Sequence, residues 1–266
     1  MKTRRIAAMG LGIFAAASLS LTACESTGTT STGTSPSASA PAPTAAPADT
    51  LIAALGKLKS QGYDVKMTAA SGGLNGNASI DPTAGNASLE EKGSVQGVTI
   101  DISAVEIGTD LWAKIDLGAA SSQLGIDPTK WMLVDQTKLT GADSKPFDLT
   151  GPDALAVAGL LTSVTNVTAT DATHLSGTVD LTAATGISSP DSSDLSKAGD
   201  AAKTVPFTVT LDDQGRITDI KVTPSAAELA EEFTFSNYGS PTAITAPPAA
   251  NVIPAPAAIY SFFNES

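Results

Sequence analysis

The chain of 266 residues holds one histidine, His174, and one cysteine, Cys24, which leaves few side chains able to do covalent or acid–base chemistry. A lone imidazole offers a single general base of the usual kind and a single nitrogen ligand to a transition metal. His174 sits in DATHLSGTV among polar neighbours that suit a strand or its start, and it reads as a surface or strand-edge histidine. No serine stands three residues before a lysine, no G-x-S-x-G is present, and no glycine-rich loop matches a phosphate-binding fingerprint. The carboxylates come in adjacent pairs, Glu90-Glu91, Asp212-Asp213 and Glu231-Glu232. Neighbours on a strand point to opposite faces, so these read as solvated charges, with Asp212 and Asp213 serving a turn. A calcium ion at that turn would find only oxygen ligands. No catalytic residue, metal or cofactor is expected, and binding is left as the chemistry.

Cys24 has a different meaning. Lys2, Arg4 and Arg5 form a basic head, and residues 6–21 are almost wholly apolar or small, the layout of a secretory leader. That run is too short for a membrane-spanning helix. Leu21-Thr22-Ala23-Cys24 resembles the bacterial lipobox, whose cysteine is diacylglycerated on sulfur and becomes the first residue after cleavage. One acyl chain gives only reversible attachment, whereas a diacylglyceryl group supplies two. The Arg4-Arg5 pair leaves both general and twin-arginine export open. The expectation is a signal peptide over 1–23 and a lipid anchor at Cys24 on the extracytoplasmic face of the cell membrane.

Charge excludes other partners. The leader holds three of the 15 basic residues and none of the 27 acidic ones, so its removal deepens the acidic excess. Anionic lipid surfaces and nucleic acid would both repel such a chain. Residues 24–48 are nearly all Ser, Thr, Gly, Ala and Pro after the cysteine, with too little apolar surface to offset the entropy of ordering them. As an extended tether at about 3 Å per residue they would reach on the order of 70 Å. The folded part is expected over 49–247, long enough for one core without disulfides. The proline-rich tail, 248–266, is expected to lie free.

Two amphipathic helices are expected. In ADTLIAALGKLKSQG, Leu51, Leu55 and Leu58 share a face, Asp49 or Thr50 can cap the start, and Gly62 follows the end. GPDALAVAGLLTSV places Leu155, Ala158 and Leu161 on one side, with Pro152 in its first turn. Strand periodicity fills most of the rest. GVTIDISAVEIG sets Val98, Ile100, Ile102 and Ala104 on one face, DLWAKID sets Leu111, Ala113 and Ile115, and VPFTVTL sets Val205, Phe207, Val209 and Leu211. Shorter strands are read at YDVKMTA, NASLEEKG, WMLVD, HLSGTVDL, ITDIKV and EEFTFSN, with turns at DPTAGN and DDQG. Alternation over many antiparallel strands with two helices predicts an α+β fold: one large curved antiparallel sheet whose apolar face the helices cover. Periodicity leaves open whether that face encloses a full or a hollow space. Aromatic residues at 5% of the chain favour hollow. Trp112 faces away from the Leu111 and Ile115 side, to cover the sheet or meet a partner, and Trp131 suits the lining of a mouth; structural packing is the leading reading for both.

Several of these segments together carry a family likeness. The lipobox and tether, the opening helix into YDVKMTA, the Trp-containing DLWAKID and DPTKWMLVD, the hairpin VPFTVTLDDQGRITDIKV and the closing EEFTFSNYGSPTAITAPPA resemble the actinobacterial lipoproteins of the LppX and LprG type. These are similar in architecture to the LolA and LolB carriers. The resemblance implies a half-barrel with helices on its concave side, enclosing an apolar cavity for acyl chains of a lipid or acylated glycolipid. The cavity positions it implies are Leu51, Leu55, Val98, Ile100, Ile102, Leu111, Ile115, Leu155, Val205, Phe207 and Val209. Two functions follow: a monomeric, membrane-anchored lipid carrier across the envelope, or a ligand-free module of the same fold that assists a transporter or envelope enzyme. Two 16-carbon chains cost on the order of 20 kcal/mol to expose to water, so a carrier needs such a shelter.

Overall fold

The computed structural model describes residues 45–69, 75–95, 97–139, 149–150, 163–183, 195–196, 198–224 and 230–264, all within the compact unit Thr44–Ser266. The leader, Cys24 and its tether lie outside the described residues, as do the body of the second expected helix and Leu155. Twelve strands form one sheet: β1 (Tyr63–Ala69), β2 (Asn75–Asp81), β3 (Asn86–Val95), β4 (Val98–Ile107), β5 (Asp110–Asp116), β6 (Trp131–Val134), β7 (Val164–Ala169), β8 (His174–Val179), β9 (Val205–Leu211), β10 (Ile217–Val222), β11 (Glu231–Ser236) and β12 (Val252–Pro254). Their order is β12-β6-β5-β4-β3-β2-β1-β11-β10-β9-β8-β7. Two meanders, β1 to β6 and β7 to β11, thus meet where β11 pairs with β1. Every pairing is antiparallel except that of β12 with β6.

Alternation sends one set of side chains to an inner, apolar face and the other to an outer, polar face. The inner face carries two packed clusters. The larger joins Val65, Met67, Phe233, Ile220, Val209 and Phe207 to Leu51, Ala54 and Leu58 of α1 (Pro47–Leu58). The smaller joins Leu111, Ala113, Met132 and Val134 to Ile126, which follows α2 (Ala119–Gln123), and to Ile259 of α3 (Ala257–Asn264). Helix α1 starts earlier than expected, with Pro47 in its first turn in place of a side-chain cap. Proline's fixed φ favours that position. Lys57 near its end donates to the Gln214 carbonyl and so ties α1 to the β9–β10 hairpin.

Three strands are absent from the sequence-based expectation. Strand β2, NGNASID, is too rich in Gly and Asn to signal itself. Strand β7 occupies VTNVTA, whose first residue, Val164, ends the segment that the sequence pattern gives to the second helix. Strand β12 lies in the tail, and the expectation of a free tail is overturned there. Val252–Pro254 pair with Trp131–Leu133, Ile259 is buried, the Asp135 N–H donates to Tyr260 Oη at 3.0 Å, and Asn264 Nδ2 donates to the Lys138 carbonyl at 2.9 Å. Prolines exclude ladder positions that need an N–H, but an edge strand with Pro254 at its end and a helix beginning after Pro256 need none there.

The exit from β11 is fixed by Asp64. Its carboxylate accepts from the Thr242 N–H (2.9 Å), Thr242 Oγ1 (2.7 Å) and Asn237 Nδ2 (2.7 Å). Asn237 and Gly239 both take positive φ, which turns the chain back over the outer face. Pro241 then packs on Gly62, where an added Cβ would lie 2.8 Å from the ring.

Candidate ligand site

The expected cavity residues divide by what surrounds them. Leu51, Val205, Phe207 and Val209 are buried within the larger cluster, with Leu55 packed against it. Leu111 and Ile115 belong to the smaller one, with Ile102 beside it. These side chains are in contact with one another and with the helices, so they are core. Only the first half of β4 departs from this. Val98 is 44% exposed, and Ile100 and Ile102 are partly exposed. They form an apolar strip on the inner face, toward the end of the sheet at which β1 finishes and β11 begins.

Two carboxylates lie on the same inner face, Glu91 beside that strip and Glu231 farther across the sheet, and here two expectations are corrected. Glu91 stands opposite Ile102 in the β3–β4 register and is 0% exposed. Glu231 stands between Ala69 of β1 and Val222 of β10. Burial among these apolar neighbours, and then the charge of Glu91, push the Glu231 carboxyl up to about 7. Glu91 is therefore no solvated charge, and Glu231 is only partly exposed. Each adjacent pair is split by the pleat, so Glu90 and Glu232 take the outer face, where Glu232 meets Lys221 at 3.2 Å. The signal that could have separated them was phase: Glu91 falls in register with Ala87 and Leu89, and Glu231 with Phe233 and Phe235. A third inner-face carboxylate, Glu106, is buried and accepts from the Leu149 N–H at 2.9 Å. Gly76 gives Glu91 its room, since an added Cβ there would lie 2.9 Å from Glu91 Cγ.

The remaining chemical candidates are local structure. His174 is exposed; its Nδ1 lies 2.9 Å from both Asp171 oxygens and 3.1 Å from Thr173 Oγ1. All three contacts use one nitrogen, so the group does not relay a proton from a hydroxyl through the ring to a carboxylate. The hydrogen bond from His174 holds Asp171 well below the usual carboxylate range. Asp212 serves its turn as expected, accepting from the Gln214 and Arg216 N–H groups and from Arg216 Nε at 2.6 Å. An Asp-x-Thr turn recurs at Asp81, Asp127, Asp135, Asp171 and Asp180, each accepting from the backbone N–H and hydroxyl of the threonine two residues on. Among the described residues no group of three or more His, Cys, Asp or Glu side chains is arranged to hold a metal, and no helix is long and apolar enough to cross a membrane.

No family model matches the chain, and no curated protein does. Among solved structures the chain is similar to the hypothetical protein CT021 from Chlamydia trachomatis, at 10% identity and a TM-score of 0.27, over 77% of this chain and 98% of that one. A likeness of that size carries no argument about fold or function.

Proposed function

We propose that the protein is an exported, Cys24-anchored lipoprotein whose half-barrel holds the acyl chains of a lipid or acylated glycolipid, without catalysis. The observation that supports this reading is the strip Val98, Ile100 and Ile102, left partly open on a face where the other expected cavity positions among the described residues are packed. Each buried methylene of an acyl chain contributes about 0.8 kcal/mol, so a strip of this kind is a place for a chain to lie. Glu231, partly exposed on the same face, suits a hydroxyl of a headgroup, since a protonated carboxyl donates and an ionised one accepts. A second reading, a ligand-free envelope module, is favoured by the tight packing of Leu111, Val205, Phe207 and Val209.

One preparation separates the two readings. The chain is isolated from its native host, extracted with organic solvent and analysed by mass spectrometry. A lipid at near one equivalent is expected, and its loss in an Ile100→Asp variant that keeps its circular dichroism. A lipid-free protein would remove the carrier reading. Cys24→Ala is expected to move the chain from the membrane to the soluble fraction.

A further inference from the structure

We propose that the outer face of the sheet carries a second, separate site that binds a neutral oligosaccharide. The backbone from Thr242 to Thr245, held down by Asp64, runs along one side of an open trough of about 520 Å³ whose floor is the polar face of β1 to β4. That volume falls in the range of roughly 300–1,000 Å³ usual for small-molecule sites.

The floor is built in rows by the strand register. Asp64 stands opposite Ser79, and Ser79 opposite Ser88. One step along, Lys66 stands opposite Asn77, Asn77 opposite Glu90, and Glu90 opposite Ser103. The second row continues to Lys114, whose Nζ lies 5.5 Å from the ring centroid of Trp131 at the far end. The second row thus presents a polar group at every strand spacing, about 4.8 Å, whereas the first is polar on β1 to β3 and ends at Val105 on β4.

The chemistry of the rows selects the ligand. Lysine only donates, an ionised glutamate only accepts, and serine and asparagine do both. A ligand of hydroxyls, each donor and acceptor at once, can answer all of them, whereas an anion would meet Glu90 and Asp64 and a cation would meet Lys66. Charges on the floor are mixed in sign, which favours a neutral molecule. An extended peptide is disfavoured for another reason. β1 to β4 and β11 are each paired on both sides, so the floor offers no free strand edge for backbone pairing. The serines are short and few-rotamer, which leaves depth and costs little entropy on binding. Trp131 adds the flat apolar surface that a sugar ring stacks against.

The test uses the two tryptophans of the chain. In the full-length protein carrying Trp112→Phe, kept in a detergent without a sugar headgroup, Trp131 becomes the reporter. Titration with cellotriose and with maltotriose is expected to give a saturable shift of its emission with at least one of them. Ser88→Phe, which fills the floor, is expected to weaken binding at least tenfold, and Glu90→Gln at least threefold. Leu133→Ser, on the same face but outside the trough, is expected to change it less than twofold. A linear, non-saturating response to both trisaccharides and to a neutral glycan array would overturn the proposal. So would unchanged affinity in the Glu90→Gln and Ser88→Phe variants, or tighter binding of an unglycosylated peptide.

Discussion

Glu91 extends across the bare Cα of Gly76 on the inner face of the sheet, and burial, and after it the charge of Glu91, raises the carboxyl of Glu231, with β2 and β1 between the two strands that bear them. A pair of like charges on an apolar face is an unfavourable arrangement that a fold keeps only at a cost. Its consequences can be measured.

The first is pH dependence. Glu231 moves from an ordinary value of 4.5 when unfolded to about 7 when folded, so the folded state holds the proton more tightly. Stability from this group is therefore greatest below pH 4.5, declines as pH rises from 4.5 to 7, and is level above 7. At 1.36 kcal/mol per pKa unit the full decline is about 3 kcal/mol. Urea unfolding of wild type and Glu231→Gln at pH 5 and pH 8 checks it. The variant should match wild type near pH 5 within about 1 kcal/mol and exceed it at pH 8 by roughly 1–3 kcal/mol. Equal pH profiles would show that Glu231 does not carry the effect.

Two glycines give opposite expectations. A Cβ at Gly76 would lie 2.6 Å from the Glu90 carbonyl oxygen and 2.9 Å from Glu91 Cγ, and the carbonyl is backbone with nowhere to go. Gly76→Ala should destabilise by about 1–3 kcal/mol. Gly56 is exposed in the middle of α1 with nothing near its missing Cβ. Gly56→Ala should stabilise by about 0.5–1 kcal/mol. Thermal denaturation of the two variants side by side reads both, and the same sign in each would contradict the geometry.

Asp64 holds the exit segment by three hydrogen bonds, two of them to Thr242. Asp64→Ala removes all three and leaves residues 242–248 to their proline content alone. The outcome expected is a loss of about 1–3 kcal/mol and faster cleavage by a nonspecific protease within that segment. Mass spectrometry of the first fragments identifies the cut. Cleavage elsewhere first would show that the segment is held by other contacts.

Most of the sheet was legible because its strands obey a strict period of two. β1, β4, β5, β9, β10 and β11 lie where alternation of Val, Ile, Leu and Phe with polar residues placed them. The inner face of Leu111, Val205 and Phe207 was also legible, although the sequence reading made them cavity lining and the structure packs them as core. Strand order was not, because β1 pairs with β11 through the register Val65 to Phe235 and Met67 to Phe233, contacts that no local pattern encodes. Strand β2 was hidden by Gly76 and Asn77, residues that serve Glu91 and the outer face rather than strand propensity. The carboxylates were misread for a related reason. The pleat was read, with neighbours on opposite faces, but the inner member of each pair, Glu91 and Glu231, was not followed onto the apolar side. The outer trough needs two distant stretches, the serine rows and Thr242, which Asp64 brings together.

The C-terminal segment offers the sharpest contrast between composition and structure. Helix α3 covers the smaller cluster with Ile259, and Tyr260 Oη accepts from the Asp135 N–H while its ring sits 5.4 Å from Lys138 Nζ. Removing residues 257–266 uncovers Met132, Val134 and Leu111, none of which reaches solvent in the intact chain beyond 3%. Burying a side chain of that kind is worth about 1.5–3 kcal/mol, so the truncated chain should lose on the order of 3 kcal/mol and bind a hydrophobic dye at the β5–β6 end. Tyr260→Phe keeps the ring and loses only the hydrogen bond, so it should cost about 1 kcal/mol without dye binding. If truncation left stability and dye binding unchanged, the helix would be resting on the sheet rather than sealing it.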